Sequence, residues 1–143
     1  MKHLVMIVIL LAFNVSAYAQ EHIGIIKNVQ GQVIVSRQGK DSGMNAGMKL
    51  YEGDRIKSFA NSSAGLIFED GTMFSIGPDT EVIINKYLFQ PKNDLYLMNL
   101  KVKKGTAVYK SGRMGKLGAD KISIETPTAT IGVRGTKFLV KVS

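Results

Sequence analysis

The sequence predicts an all-β domain, a short β-solenoid or a compact sandwich-like coil of about ten short strands. Three observations lead there. Period-two alternation of apolar and polar residues recurs along the chain. Fifteen glycines interrupt nearly every window in which a helix would have to form. No stretch keeps apolar residues at i, i+3, i+4 and i+7 for three turns without a glycine or a strand-like run.

The elements follow in order. Ile23 and Ile25 alternate, and Val33 and Val35 follow after Gly31. Ala64, Leu66 and Phe68 share one face, and Gly65, Ile67 and Glu69 the other. Asp70-Gly71 reads as a turn, since glycine accepts positive φ at little cost. Phe74 and Ile76 alternate with Met73 and Ser75, Gly77-Pro78-Asp79 turns the chain, and Val82 and Ile84 alternate with Glu81, Ile83 and Asn85. Between Asp94 and Lys103 the phase slips: Leu95 and Leu97 point one way, Leu100 and Val102 the other, which predicts a bulge or bend near Met98-Asn99. Val108 follows Gly105. Ile122 and Ile124 alternate with Lys121, Ser123 and Glu125, and Phe138, Val140 and Val142 with Lys137, Leu139 and Lys141. Arg37 to Gly53 and Ser111 to Asp120 lack alternation and read as loops, the first with room for a short helical turn around Met44 to Leu50.

The first nineteen residues read as an address. Met1-Lys2-His3 is basic, Leu4 to Val15 is apolar apart from Asn14, and Ala17-Tyr18-Ala19 sets small residues before Gln20. That is the order of a secretory signal peptide. As a helix the apolar run spans about 18 Å, short of the roughly 30 Å hydrocarbon core. The expectation is a signal peptide over 1–19, cleaved near Ala19, and a single domain over 20–143, periplasmic or secreted. The alternative is an uncleaved segment anchoring the domain to the inner membrane.

Composition narrows the chemistry. Of 143 residues, 19 are Lys or Arg and 11 Asp or Glu, a formal charge of +8 that falls to +7 once Lys2 is removed. There is no cysteine, which excludes disulfides, thiolate metal sites and a cysteine nucleophile. His22 is the one histidine beyond the leader, so a histidine-rich zinc site is excluded and a Ser-His-acid triad has a single candidate base. No metal and no other cofactor is expected.

The order of motifs resembles a known family. Tyr51-Glu52-Gly53-Asp54-Arg55-Ile56-Lys57-Ser58 is similar to a G-D-x-I-x-T/S element. Ser63-Ala64-Gly65-Leu66-Ile67-Phe68-Glu69-Asp70-Gly71-Thr72 follows, then Gly77-Pro78-Asp79-Thr80-Glu81-Val82. The chain closes with Thr126-Pro127-Thr128-Ala129-Thr130-Ile131-Gly132-Val133-Arg134-Gly135-Thr136-Lys137-Phe138. This set resembles the FecR domain family, over about Ile23 to Val142. The resemblance implies an all-β domain outside the cytoplasmic membrane. In the family's namesakes it belongs to an inner-membrane regulator of iron uptake that controls a cytoplasmic sigma factor. Here only Met1-Lys2-His3 precede the apolar segment, so no direct sigma-factor contact is expected. The resemblance then implies an exported binding or scaffold module, accessory to signalling, whose partner is a protein or another cell-envelope component.

Each candidate site stands beside a plainer reading. Arg134, Gly135 and Thr136 can present a recognition surface, Arg offering a planar fork for a carboxylate or phosphate. Alternatively the glycines make a tight bend and Arg134 caps carbonyls or pairs with an acid. Lys101, Lys103, Lys104, Lys110, Arg113, Lys116 and Lys121 can form a cationic face for anionic lipid, glycan or protein, or a solvated face with edge lysines that block pairing. Nucleic acid is not expected: export argues against it, and Tyr96 and Tyr109 are too few for a stacking platform. Asp70-Gly71-Thr72 and Gly53-Asp54 read as turns rather than cation sites, since calcium wants six to eight oxygens. Tyr87-Leu88-Phe89-Gln90-Pro91 and Tyr96 read as core or a docking patch, and Asn61-Ser62-Ser63 matches a glycosylation sequon. The enzymatic alternative is a cell-wall or carbohydrate hydrolase using Asp54, Glu69 or Asp70; the expectation is that the chain is not an enzyme.

Overall fold

The computed structural model describes residues 20–143, so the expected signal peptide lies outside the described residues. No helix among the described residues is long and apolar enough to cross a membrane. The described residues form twelve strands: β1 (Gly24–Gln30), β2 (Val33–Arg37), β3 (Lys40–Gly43), β4 (Lys49–Leu50), β5 (Arg55–Ser58), β6 (Ser63–Phe68), β7 (Met73–Ile76), β8 (Glu81–Gln90), β9 (Leu95–Lys110), β10 (Ile122–Glu125), β11 (Thr130–Gly132) and β12 (Lys137–Val142). One helix, α1 (Arg113–Leu117), and 3-10 turns at Pro91–Asn93 and Ala119–Lys121 complete them.

The strands form a curled sheet of order β3-β2-β5-β8-β9-β7-β6-β1-β4; β10 and β12 also pair with β9, and β11 with β10. Pairing is antiparallel except between β9 and β10. Antiparallel ladders suit short hairpins, and the result is the sandwich-like form of the expected coil. Phe68, Leu66, Phe74 and Tyr109 from one half meet Ile56, Ile84, Leu100 and Ile124 from the other in one buried cluster.

The long strand β9 belongs to both halves. Residues 95–104 pair with β8, while 105–110 pair with β7 and β12. The buried side changes at Gly105: Met98, Leu100 and Val102 are buried before it, Ala107 and Tyr109 after it. Gly105 has φ +94, and a Cβ there would lie 2.5 Å from Thr80 Cα, so only glycine fits this crossing.

Three expectations are corrected. The segment Arg37 to Gly53 contains β3 and β4 and no helical turn. Its backbone is laced to both halves: Met44 N–H donates to Val33 O (2.9 Å), Ile26 N–H to Met48 O (2.9 Å) and Ile23 N–H to Leu50 O (2.8 Å). The loop expected over Ser111 to Asp120 contains α1 and a 3-10 turn, pinned by the fully buried Met114. The irregularity placed near Met98-Asn99 lies on the partner strand, where Asn85 of β8 is the extra residue between the pairs Ile84–Leu100 and Lys86–Asn99; β9 has its own extra residue further on, Lys103, between the pairs Val82–Val102 and Glu81–Lys104. At Met98-Asn99 β9 is unbroken; Leu95 and Leu97 are simply exposed, Leu97 opposite Leu88, while Met98 takes the core position. The aromatic segment is divided: Tyr87 is core, stacked on Phe68 at 5.2 Å, and Phe89 and Tyr96 are half-buried, 6.0 Å apart.

Two buried phenols give opposite predictions. The Tyr87 hydroxyl donates to Asp70 Oδ1 at 3.0 Å, whereas the Tyr109 hydroxyl has the Ser111 and Thr72 side chains nearby but makes no hydrogen bond of ordinary geometry among the described residues. Tyr109→Phe keeps the stack on Phe138 at 4.9 Å and removes an unsatisfied donor. Stability is expected unchanged or raised by up to about 1 kcal/mol, against a loss of about 1–2 kcal/mol for Tyr87→Phe. Urea denaturation of both variants checks this.

Both phenols are pushed above their ordinary value of 10.0, each chiefly by burial. The folded state therefore holds protons that the unfolded chain releases near pH 10. Stability is full below about pH 10 and falls above it, by at most about 1.4 kcal/mol per pH unit for each tyrosine. Denaturation midpoints measured from pH 8 to 11.5 should show that fall, and Tyr87→Phe should make it shallower.

Candidate interaction surface

Val133 is buried and its N–H donates to Ile122 O at 3.3 Å, while Ser111 N–H donates to Thr136 O at 2.7 Å. Between these anchors Arg134-Gly135-Thr136 bends outward, carrying the chain from β11 to β12. Arg134 and Thr136 are exposed. Arg134 forms no ion pair or side-chain hydrogen bond among the described residues, so it takes neither internal role set out for it.

Gly135 has φ +99, and a methyl group on its Cα would meet nothing within 4 Å beyond the chain neighbours. A β-branched residue there is penalised by backbone conformation alone. Gly135→Val is expected to cost about 1–3 kcal/mol, read as a melting temperature several degrees lower.

The basic residues between 101 and 121 do not gather on one face. Lys101 and Lys103 precede the crossing at Gly105. Lys101 lies in register between Ile83 and Glu125, and Ile83 in turn lies beside Arg55. Acids interleave here: Arg55 pairs with Glu81 at 3.6 Å, and Lys104 lies opposite Glu81. Lys110 lies beyond the crossing, opposite Met73 and Lys137. Arg113 and Lys116 are on α1, with the Arg113 guanidinium 5.2 Å from the Phe89 ring centre. Lys121 is 3.9 Å from Asp120. Of the candidate basic residues, strand register brings two near the Arg134 turn: Lys110, opposite Lys137, and Lys121, which precedes Ile122 where Val133 is bonded.

The two turn aspartates are internal braces. Asp54 is fully buried, and its oxygens accept from Arg37 Nε (2.7 Å), Arg37 Nη2 (2.9 Å) and Tyr51 N–H (2.9 Å). This carboxylate raises the Arg37 pKa above its ordinary value, mainly through the hydrogen bond. Asp70 is also buried, accepting from Thr72, Tyr87 and Met114. Glu69 is half-exposed, 3.7 Å from His22 Nε2, beside a cleft of about 350 Å³ that Glu52 also lines. Glu52 in turn accepts from Tyr87 N–H and Lys86 Nζ. Two of the three carboxylates considered for hydrolysis are thus committed to holding turns. In the sequon, Asn61 is exposed at φ 55 and Ser62 is buried, its hydroxyl donating to Ala60 O.

One feature escapes the sequence. Between β11 and β12 lies a cleft of about 530 Å³, with Ile131 and Leu139 on its walls. Leu139 is 63% exposed and Ile131 37%. The available signal is a leucine on the polar face of β12, between Lys137 and Lys141.

A protein-family model described as FecR protein matches residues 54–143. No curated protein and no solved structure matches the chain. The matched span runs from the Asp54 brace through the Asp70 turn to the Arg134-Gly135-Thr136 bend and β12. It covers well over half of the sequence, and the chain belongs to the FecR family.

Proposed function

We propose that this chain is an exported, non-catalytic FecR-domain module that binds a protein of the cell envelope, accessory to signalling at the cell surface. The observation that carries this reading is Arg134. It lies in the Arg-Gly-Thr element of the matched span, yet its guanidinium faces solvent without an internal partner among the described residues. An arginine kept for the fold is expected to hold a carboxylate, as Arg37 holds Asp54; a solvent-facing one is available to a partner's carboxylate or phosphate. Export rests on the charged, apolar, small-residue order of residues 1–19.

The test is an affinity pull-down from native envelope fractions with the exported form, at low and high salt, beside Arg134→Ala. One protein partner, retained in high salt and lost with the variant, is the expected result. Recovery of lipid or glycan alone, fading with salt, would overturn it in favour of a cationic envelope-surface binder.

A further inference from the structure

We propose that the free edge of β12, with the cleft beside it, receives an extended strand of a partner protein whose residues facing Lys137, Leu139 and Lys141 run acid, apolar, acid. This deepens the reading of the chain as a binding module and rests on it.

The two seams of the curled sheet differ. On one side, residues 44–50 bridge the halves with backbone hydrogen bonds to β1 and β2. On the other, among the described residues β12 has β9 as its single neighbour and β11 has β10, and the cleft separates them. A strand edge without a neighbour is a template for pairing.

The phase of that edge follows from the ladder. Ser111 N–H donates to Thr136 O, and Gly77 N–H to Thr106 O. Antiparallel pairs alternate in hydrogen bonding, so Phe138, Val140 and Val142 direct their backbone groups to β9. The N–H and C=O of Lys137, Leu139 and Lys141 therefore point to the free edge. On the inner side Val140 is buried and Phe138 and Val142 half-buried; on the outer side Leu139 is the most exposed large apolar residue among those described.

Charge selects the occupant. A second copy paired antiparallel about Leu139 sets Lys137 of one copy against Lys141 of the other, and a parallel pairing stacks lysine on lysine. Like charges directly opposite are destabilising, and opposite charges favourable. A strand with acids facing the two lysines and an apolar residue facing Leu139 satisfies the whole row. Lysines alone would protect the edge; the leucine between them is what protection does not require.

The probe is a labelled peptide centred on Glu-Val-Leu-Val-Glu with Ser-Gly flanks, titrated against the exported form by fluorescence anisotropy. Saturable binding is expected, at least tenfold weaker for Lys in place of both Glu, and lost when the peptide backbone is N-methylated. Leu139→Glu should abolish binding with the melting temperature kept. Lys137→Glu with Lys141→Glu should reverse the preference to the Lys peptide. Absent binding, equal binding of both peptides, or binding indifferent to N-methylation overturns the proposal, as does a dimer in sedimentation that Leu139→Glu dissolves. An envelope partner whose capture ignores Leu139→Glu overturns this surface and leaves the binding-module reading intact; no envelope partner at all overturns that reading itself.

Discussion

Asp70→Ala is expected to destabilise the protein by about 3–5 kcal/mol. Asp70 is 2% exposed, in the turn between β6 and β7. Its carboxylate accepts from Thr72 N–H (3.2 Å), Thr72 Oγ1 (2.6 Å), Tyr87 OH (3.0 Å) and Met114 N–H (3.1 Å). Its main chain adds a donation to Tyr87 Oη (3.0 Å) and accepts Arg113 N–H (2.8 Å). One side chain thus ties its turn to β8 and to the first turn of α1. With alanine, two backbone N–H groups and two hydroxyls lose an acceptor at a buried position. A loss of that size lowers the melting temperature by roughly 10–20 °C for a domain of this length. Asp70→Asn keeps the shape and one acceptor oxygen and should cost about half as much. Amide exchange at Met114 should accelerate in both variants, since its N–H partner is removed or weakened. An alanine variant within about 1 kcal/mol of the parent would mean that the turn holds without its brace.

The sequence makes β6 and β7 legible because each carries apolar residues at every second position and ends at a glycine turn, and the start of β8 legible from the alternation of Val82 and Ile84. The strands it hides are those for which alternation carries no information. β3 is Lys-Asp-Ser-Gly, exposed throughout, and β4 is two residues long; both are strands because a neighbour supplies the ladder. In the arm of β8 and β9, Leu88, Leu95 and Leu97 lie on one face and Tyr87 and Met98 on the other, so apolar residues on both faces mimic a phase slip. The true change of side follows the extra residue Lys103 and the crossing at Gly105, where Thr80 leaves no room for a side chain. The same holds for the candidate surface. Arg134-Gly135-Thr136 is readable as a turn from its glycine, and the aspartates as turn residues from Asp-Gly and Gly-Asp. That the edge of β12 is free is a property of topology, set by which strands reach β9, and no local pattern encodes it. The basic run is legible as charge, but its dispersal follows from β9 serving both halves.

Arg37→Ala is expected to cost about 3 kcal/mol and to lower the melting temperature by roughly 10 °C. The guanidinium grips both oxygens of the fully buried Asp54, donates to Lys49 O at 3.3 Å and lies 4.4 Å from the Tyr51 ring centre. Alanine leaves a buried carboxylate with the Tyr51 N–H as its remaining partner, and an unpaired buried charge is what makes breaking such a pair costly. Arg37→Lys returns the charge without the fork and should recover only part of the loss. Combining Arg37→Ala with Asp54→Asn should cost less than the sum of the two, by about 1–3 kcal/mol, because the second change removes the stranded charge. Strict additivity in urea denaturation would show that the pair does not act as a unit. Asp54 is the first residue of the family match, and Arg37 precedes it on β2. The same span also lacks β1, the neighbour of β6, and β2, the neighbour of β5. Residues 54–143 expressed alone should therefore show no cooperative unfolding transition, while 20–143 should: the Asp54 brace closes on a strand that the family match does not include.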